Sequence, residues 1–271
     1  MIRKNSLFKD SSRAVTPQMK VTHDSATYVV TLKRTVSARR FTLRVRNATR
    51  DVVLTIPRRA SITDARDFAE KHAAWIGERL QRLPQPVPFE HGGIIPLRGI
   101  AHIILHKPEA RGTVWIEPHA PQTADGSTSG PLLALCVAGR KEHVARRVID
   151  YLRAQAMADL KVAVRAHAAQ INMTPSKIAI RDSKTRWGSC SAAGALNFSW
   201  RIVLAPAFVL DYLAAHEVAH LVHLNHSEKF WALTRRLFRD TDKAEAWLNT
   251  CGAQLHQYGK PAVYDAAVDQ Q

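Results

Sequence analysis

The sequence predicts an α+β chain, with a β-rich N-terminal portion followed by a helical portion that has a β-hairpin beside its principal helix. Two regimes of apolar spacing carry this expectation. In the first half apolar and polar residues alternate with a period of two, as in the run Phe41, Thr42, Leu43, Arg44, Val45, Arg46. Beyond residue 143 the period lengthens to four, across stretches free of Gly and Pro. A chain of 271 residues suits one large domain or two small ones. The expected organisation is a flexible tail over residues 1–24, a β-rich portion over 25–135, a helical portion over 136–262 and a short tail over 263–271.

Taken in order, residues 28–56 read as strands, and the alternation around Phe41 gives them one apolar and one basic face. Between Lys33 and Arg59 there are nine Lys or Arg and a single acid, Asp51. That face is either simply solvated or a surface for a polyanion such as nucleic acid. Ser61 is a plausible N-cap for a helix in which Ile62, Ala65, Phe68, Ala69, Ile76 and Leu80 recur at helical spacing, with Trp75 helping to anchor it. Pro84, Pro86 and Pro88 then stop the helix. From Gly92 to Trp115 short strands are expected, with turns at Pro108 and Gly112, and His119–Pro131 reads as an exposed loop. After a short strand around Cys136, the series Val144, Val148, Leu152, Leu160 and Val164 predicts a long helix.

Composition narrows the function classes. The net charge of +16 favours polyanionic partners or acidic ligands. Three scattered cysteines, Cys136, Cys190 and Cys251, form no CxxC pair and no disulfide framework, which points to reduced thiols and a cytoplasmic setting. The basic N-terminus lacks the apolar segment of a signal peptide, and no apolar run is long enough to span a membrane. Nothing here fixes the oligomeric state.

The residues that carry chemistry lie in the last third, where His216, Glu217 and His220 form an H-E-x-x-H motif. Pro206 suits the first position of a helix, and with no Gly or Pro before Gly252 a helix running through the motif is expected. Ala214, Ala215, Val218, Leu221 and Val222 would then face the core. Four residues make slightly more than one turn, so the two imidazoles stand on one face. Such a pair suits a tetrahedral Zn2+ site, which in hydrolases takes a third protein ligand and leaves one position open.

The leading third ligand is His226, six residues after His220, the spacing of the extended motif in which the chain turns back to the metal. Where that motif has Gly this chain has His223, and Asn225 is the more obvious residue for a left-handed turn. Glu228 and Glu245 lie downstream on expected helices. His223 shares a helical stripe with His216, but their roughly 10 Å axial separation argues against a common metal. Glu217 is the candidate general base.

Upstream, Gly188 and Gly194 punctuate a hairpin that would lie beside the motif helix. Arg186 or Asn197 could reach an oxyanion there. Trp187, Phe198 and Trp200 read as packing residues, and Cys190 as a buried thiol more readily than as a ligand.

The combination RWGSCS, LNFSWRIVLAP and DYLAAHEVAHLVHLNHSEKFW resembles the YgjP-like metallopeptidase family, related to the SprT-like and WLM zincins, and the resemblance covers roughly residues 25–260. It implies a zincin-like C-terminal portion in which His216, His220 and His226 match the zinc positions and Glu217 the catalytic glutamate. The expected function is a zinc-dependent hydrolase, foremost a peptidase acting on peptide or protein with a metal-activated water and Glu217 as general base. Two alternatives stand beside it: a zinc-dependent nucleoside triphosphate phosphohydrolase, and a SprT-like nucleic-acid-associated protease or adaptor.

Overall fold

The computed structural model describes residues 17–46, 49–120 and 133–260. The expected C-terminal tail, the first sixteen residues and residues 121–131 of the expected loop lie outside them. The fold is α+β, with strands and sheets leading into helices. The chain divides into two compact units at Leu83/Pro84, within the proline-rich break.

The N-terminal unit is a four-stranded sheet of β1 (Gln18–His23), β2 (Ala26–Thr35), β3 (Thr42–Val45) and β4 (Val52–Pro57), in the order β1-β2-β4-β3. β1 falls inside the segment expected to be a tail, where Met19 and Val21 alternate with Gln18, Lys20 and Thr22 and are buried. The β1–β2 turn uses Asp24 and Ser25, both with positive φ, as a two-residue hairpin turn requires. β2 and β4 run parallel, and β3 pairs antiparallel with β4. The anticipated alternation holds on β3, where Val45 is buried, Leu43 packs on the core and Arg44 is exposed.

Two helices pack on this sheet: α1 (Ile62–Lys71) and α2 (Ala73–Gln81). Ser61 caps α1, its hydroxyl accepting from the Asp64 amide at 3.0 Å. The single expected helix is broken at His72 (φ −104°, ψ 12°). The bend lets Ala65 and Ala69 from one segment and Ala73 and Ile76 from the other all reach Val30, Leu32, Leu54 and Ile56. Ile76 is the anchor; Trp75, expected to help, is 44% exposed.

The second unit begins with the same plan. Strands β5 (Ile94–Leu97), β6 (Ile100–Lys107), β7 (Val114–Pro118) and β8 (Leu133–Ala138) take the order β5-β6-β8-β7, again with a parallel central pair and antiparallel outer ones. Arg98 and Gly99 supply the two positive-φ residues of its opening hairpin. The long helix α3 (Val144–Ala169) follows, with Val144, Val148, Leu152, Ala156, Leu160 and Val164 buried in one stripe against Ile95, Ile104, Leu135 and Val137. These strands share a core with α3, so the β-rich half of the sequence belongs to two cores.

Strands β9 (Lys177–Arg181), β10 (Gly188–Cys190) and β11 (Ala195–Ser199) form a third sheet, ordered β10-β11-β9, in which β10 and β11 make the anticipated hairpin. A 3-10 turn over Trp200–Leu204 leads to α4 (Ala207–Ala219), then α5 (Glu228–Leu237) and α6 (Thr241–Cys251). Phe198 and Trp200 are core residues. Asp211 of α4 holds His167 of α3 at 2.7 Å, and Asp159 of α3 holds Arg98 through two 2.8 Å bonds. Among the described residues no helix is long and apolar enough to cross a membrane.

Candidate metal centre

α4 is buried on nearly all sides, since Val209, Leu213, Ala214, Ala215, Val218 and Ala219 all join the core. An almost wholly apolar helix has no amphipathic freedom to rotate, so its few polar side chains are fixed in direction. Pro206 stands at the N-cap, one position before the helix proper. The helix carries the motif as expected, with His220 as its C-cap, and it stops there, where the amides of Leu221 and Val222 bond three residues back, to Val218 and Ala219, and tighten the last turn. Leu221, half-buried, still packs against the core as expected, whereas Val222, expected to face inward, is 49% exposed. The chain then reverses over residues 221–227 without a left-handed residue at Asn225; the non-glycine residues with positive φ lie elsewhere.

This early reversal brings His226 back to the helix end. Its ring centroid lies 5.1 Å from that of His216 and 4.8 Å from that of His220, and the latter two are 5.0 Å apart. The Nε2 atoms of His226 and His216 stand 3.2 Å from each other, and one nitrogen from each of the three rings falls within 4.8 Å of the others. Neither Glu228 nor Glu245 joins this group, and His223 contributes its backbone instead: the Nδ1 of His220 lies 2.9 Å from the His223 carbonyl oxygen. A carbonyl only accepts, so Nδ1 carries the proton and donates, leaving Nε2 of His220 with a free lone pair. Tyr212, one turn before His216, sets its hydroxyl 3.4 Å from Nδ1 of that ring.

Phe230 of α5, fully buried, packs against all three imidazoles at centroid distances of 4.9, 4.4 and 4.8 Å. The sequence gives no signal for it beyond an aromatic on an amphipathic helix. Burial is the first cause holding His216 at a pKa of about 3, with its two neighbours adding to it, and burial likewise lowers His220. Both are therefore neutral near pH 7, the state in which imidazole ligates a metal.

Glu217 is 3% exposed, and its Oε2 has no hydrogen-bond partner among the described residues. Burial pushes its carboxyl up to about 8, with Arg186 opposing the shift. Its carboxylate packs on Gly188, where sequence reasoning saw only punctuation. A cleft of about 420 Å³ opens in front of these groups, lined by Arg186–Cys190, by α4, by Leu224 and His226, and by Glu245, Leu248 and Asn249 of α6. Of the two residues considered for an oxyanion, Arg186 lines the cleft and Asn197 does not. Cys190 lines it with its thiol held protonated by burial and by the nearby Glu217. Trp187 is half-buried and stacks on His256 at 5.1 Å.

Compared with known proteins, the chain matches the family model described as YgjP-like, metallopeptidase domain, over residues 39–251. No curated protein and no solved structure matches it.

Proposed function

The chain belongs to the YgjP-like metallopeptidase family, and from that premise we propose that it is a zinc-dependent peptidase, with His216, His220 and His226 as ligands and Glu217 as general base. The observation that carries the reading is the convergence of three ring nitrogens beside a buried carboxylate with an unpartnered oxygen. An orphaned carboxylate oxygen on a residue that lines a cleft has a partner to gain when substrate and water arrive. An all-imidazole donor set with neutral rings fits Zn2+ and leaves room for a fourth ligand. The bound ion supplies Lewis acidity toward a carbonyl oxygen and toward water.

The remaining work falls to this chain's own groups. Glu217 takes a proton from the attacking water as its oxygen bonds to the carbonyl carbon, then returns that proton to the amide nitrogen as the C–N bond breaks. Burial alone favours the protonated Glu217 carboxyl, and the positive charge of a bound ion beside it would favour the ionised form that accepts the proton. Arg186, at the cleft wall, is placed to offset the charge developing on the carbonyl oxygen. Tyr212 and the His223 carbonyl orient the imidazoles of His216 and His220. The reading places the protein in the cytoplasm, in keeping with its three free thiols.

The test is metal analysis of protein purified without added metal, with wild type and Glu217→Gln assayed against panels of peptides and nucleotides. Stoichiometric zinc and Glu217-dependent peptide cleavage are expected. Glu217-dependent hydrolysis of nucleoside triphosphates with every peptide left intact would replace the peptidase by a phosphohydrolase.

A further inference from the structure

The N-terminal unit carries a large positive excess that the centre around His216 does not use. Residues 17–83 include fourteen Lys and Arg against six Asp and Glu. Some of these have structural roles: Arg34 donates to the carbonyls of Arg58 and Ala60 at 2.8 and 2.9 Å, and Arg50 to those of Leu80 and Leu83 at 2.9 and 3.1 Å. The guanidinium groups of Arg44 and Arg79, by contrast, have no hydrogen bond or ion pair among the described residues.

These two line a cleft of about 320 Å³ where the edge strand β3 meets α2, together with Trp75, Glu78 and Arg82. Trp75, Arg79 and Arg82 stand at i, i+4 and i+7, so they form one stripe along α2 that ends at its C-cap, Arg82. Ala73, Ile76 and Gly77 make the buried contacts of that helix, which leaves the indole of Trp75 44% exposed. Glu78, the one acid lining the cleft, lies 3.6 Å from Arg82, so it offsets a single guanidinium. An open indole among arginines fits a ligand that alternates flat π-faces with negative charge.

We propose that this cleft binds single-stranded nucleic acid, one base stacking on Trp75 while flanking phosphates pair with Arg44 and Arg79. A duplex hides its base faces, and an acidic peptide would satisfy the arginines but leave the indole bare. The proposal is independent of the peptidase reading, because every residue it uses lies outside the unit that holds the histidines.

The experiment is fluorescence anisotropy with the full-length, zinc-loaded protein at low salt, using a labelled oligothymidylate, an abasic oligomer of equal length and a polyglutamate of equal charge. The oligothymidylate binds most tightly. Trp75→Ala weakens it by about 5- to 150-fold, the equivalent of about 1–3 kcal/mol for one stacked base, while Trp75→Phe keeps most of the affinity. Arg79→Gln lowers the slope of log affinity against log salt by about 0.7, as expected for one phosphate contact on a single strand. Zinc content stays constant in all three variants. Equal binding of the thymidylate and abasic oligomers by wild type overturns base stacking without depending on any variant's folding. Polyglutamate binding as tightly as the oligonucleotide, or no binding by any probe, overturns the proposal as a whole.

Discussion

The carboxylate of Glu217 rests against the α-carbon of Gly188, so closely that a β-carbon there would lie 2.6 Å from Cδ and 2.7 Å from Cγ of the glutamate. Gly188 is not among the residues with positive φ, so space and not backbone conformation demands glycine at this point of β10. Gly188→Ala must push the Glu217 side chain aside. The three atoms nearest that spot all belong to Glu217 and none to a histidine, so zinc should stay bound. A displacement of about 1 Å at a reacting group lowers rates on the order of a hundredfold, and kcat/KM measured beside metal content checks it. Full activity in this variant would mean that the carboxylate works from another position.

Glu217→Gln keeps the shape and removes the basic oxygen. Peptide hydrolysis should fall by about a hundredfold to ten-thousandfold with near-stoichiometric zinc, read by single-turnover kinetics and metal analysis. Retained turnover would take the general-base role away from Glu217.

What the sequence made legible follows from which interactions are local. The α3 stripe from Val144 to Val164 and the alternation around Leu43 are repeated patterns along the chain, and both appear in the buried set. β1 was missed because only Met19 and Val21 mark its buried face, too few to establish a period. The place of the turn, directly after His220 and not at Asn225, is announced by no Gly or Pro; it is made by backbone bonds to Val218 and Ala219 and by the hold of the His223 carbonyl on His220. Phe230 beneath three imidazoles and Gly188 beneath a carboxylate are tertiary contacts with no spacing rule, and only the folded chain reveals them.

The proposed ligand set makes a sharp contrast between neighbouring histidines. His226 presents a ring nitrogen to the centre, whereas His223 serves it through a backbone carbonyl that any residue would supply. Competition with a chromophoric chelator should therefore show His226→Ala losing zinc affinity by orders of magnitude and His223→Ala staying within about tenfold, the lower end of outer-sphere effects. The reverse ranking would move the third ligand to His223 and discard the turn as a metal-binding element.

Acid stability tests the support behind the cleft. His256, only 7% exposed, stacks on Trp187 at 5.1 Å, and Trp187 lines the cleft. Burial first, and then the Arg201 guanidinium, hold His256 at a pKa of about 4 in the folded chain, against 6.5 for an ordinary imidazole. Between those values the unfolded chain binds more protons than the folded one. Stability from this site is thus fully present above about pH 6.5 and is lost as pH falls toward 4, by at most about 3 kcal/mol. His256→Phe keeps an aromatic ring against Trp187 and removes the titration. In chelator-treated protein the urea midpoints of wild type and variant should draw closer, or cross in the variant's favour, as pH drops from 7 to 5. His216 and His220 also resist protonation, but they do so in both proteins and cancel in the difference. A difference between the two proteins that is constant across this range would show that His256 takes up its proton without disturbing the fold, and that Trp187 is held by its other neighbours, Gly252 among them at 3.3 Å from where a β-carbon would stand.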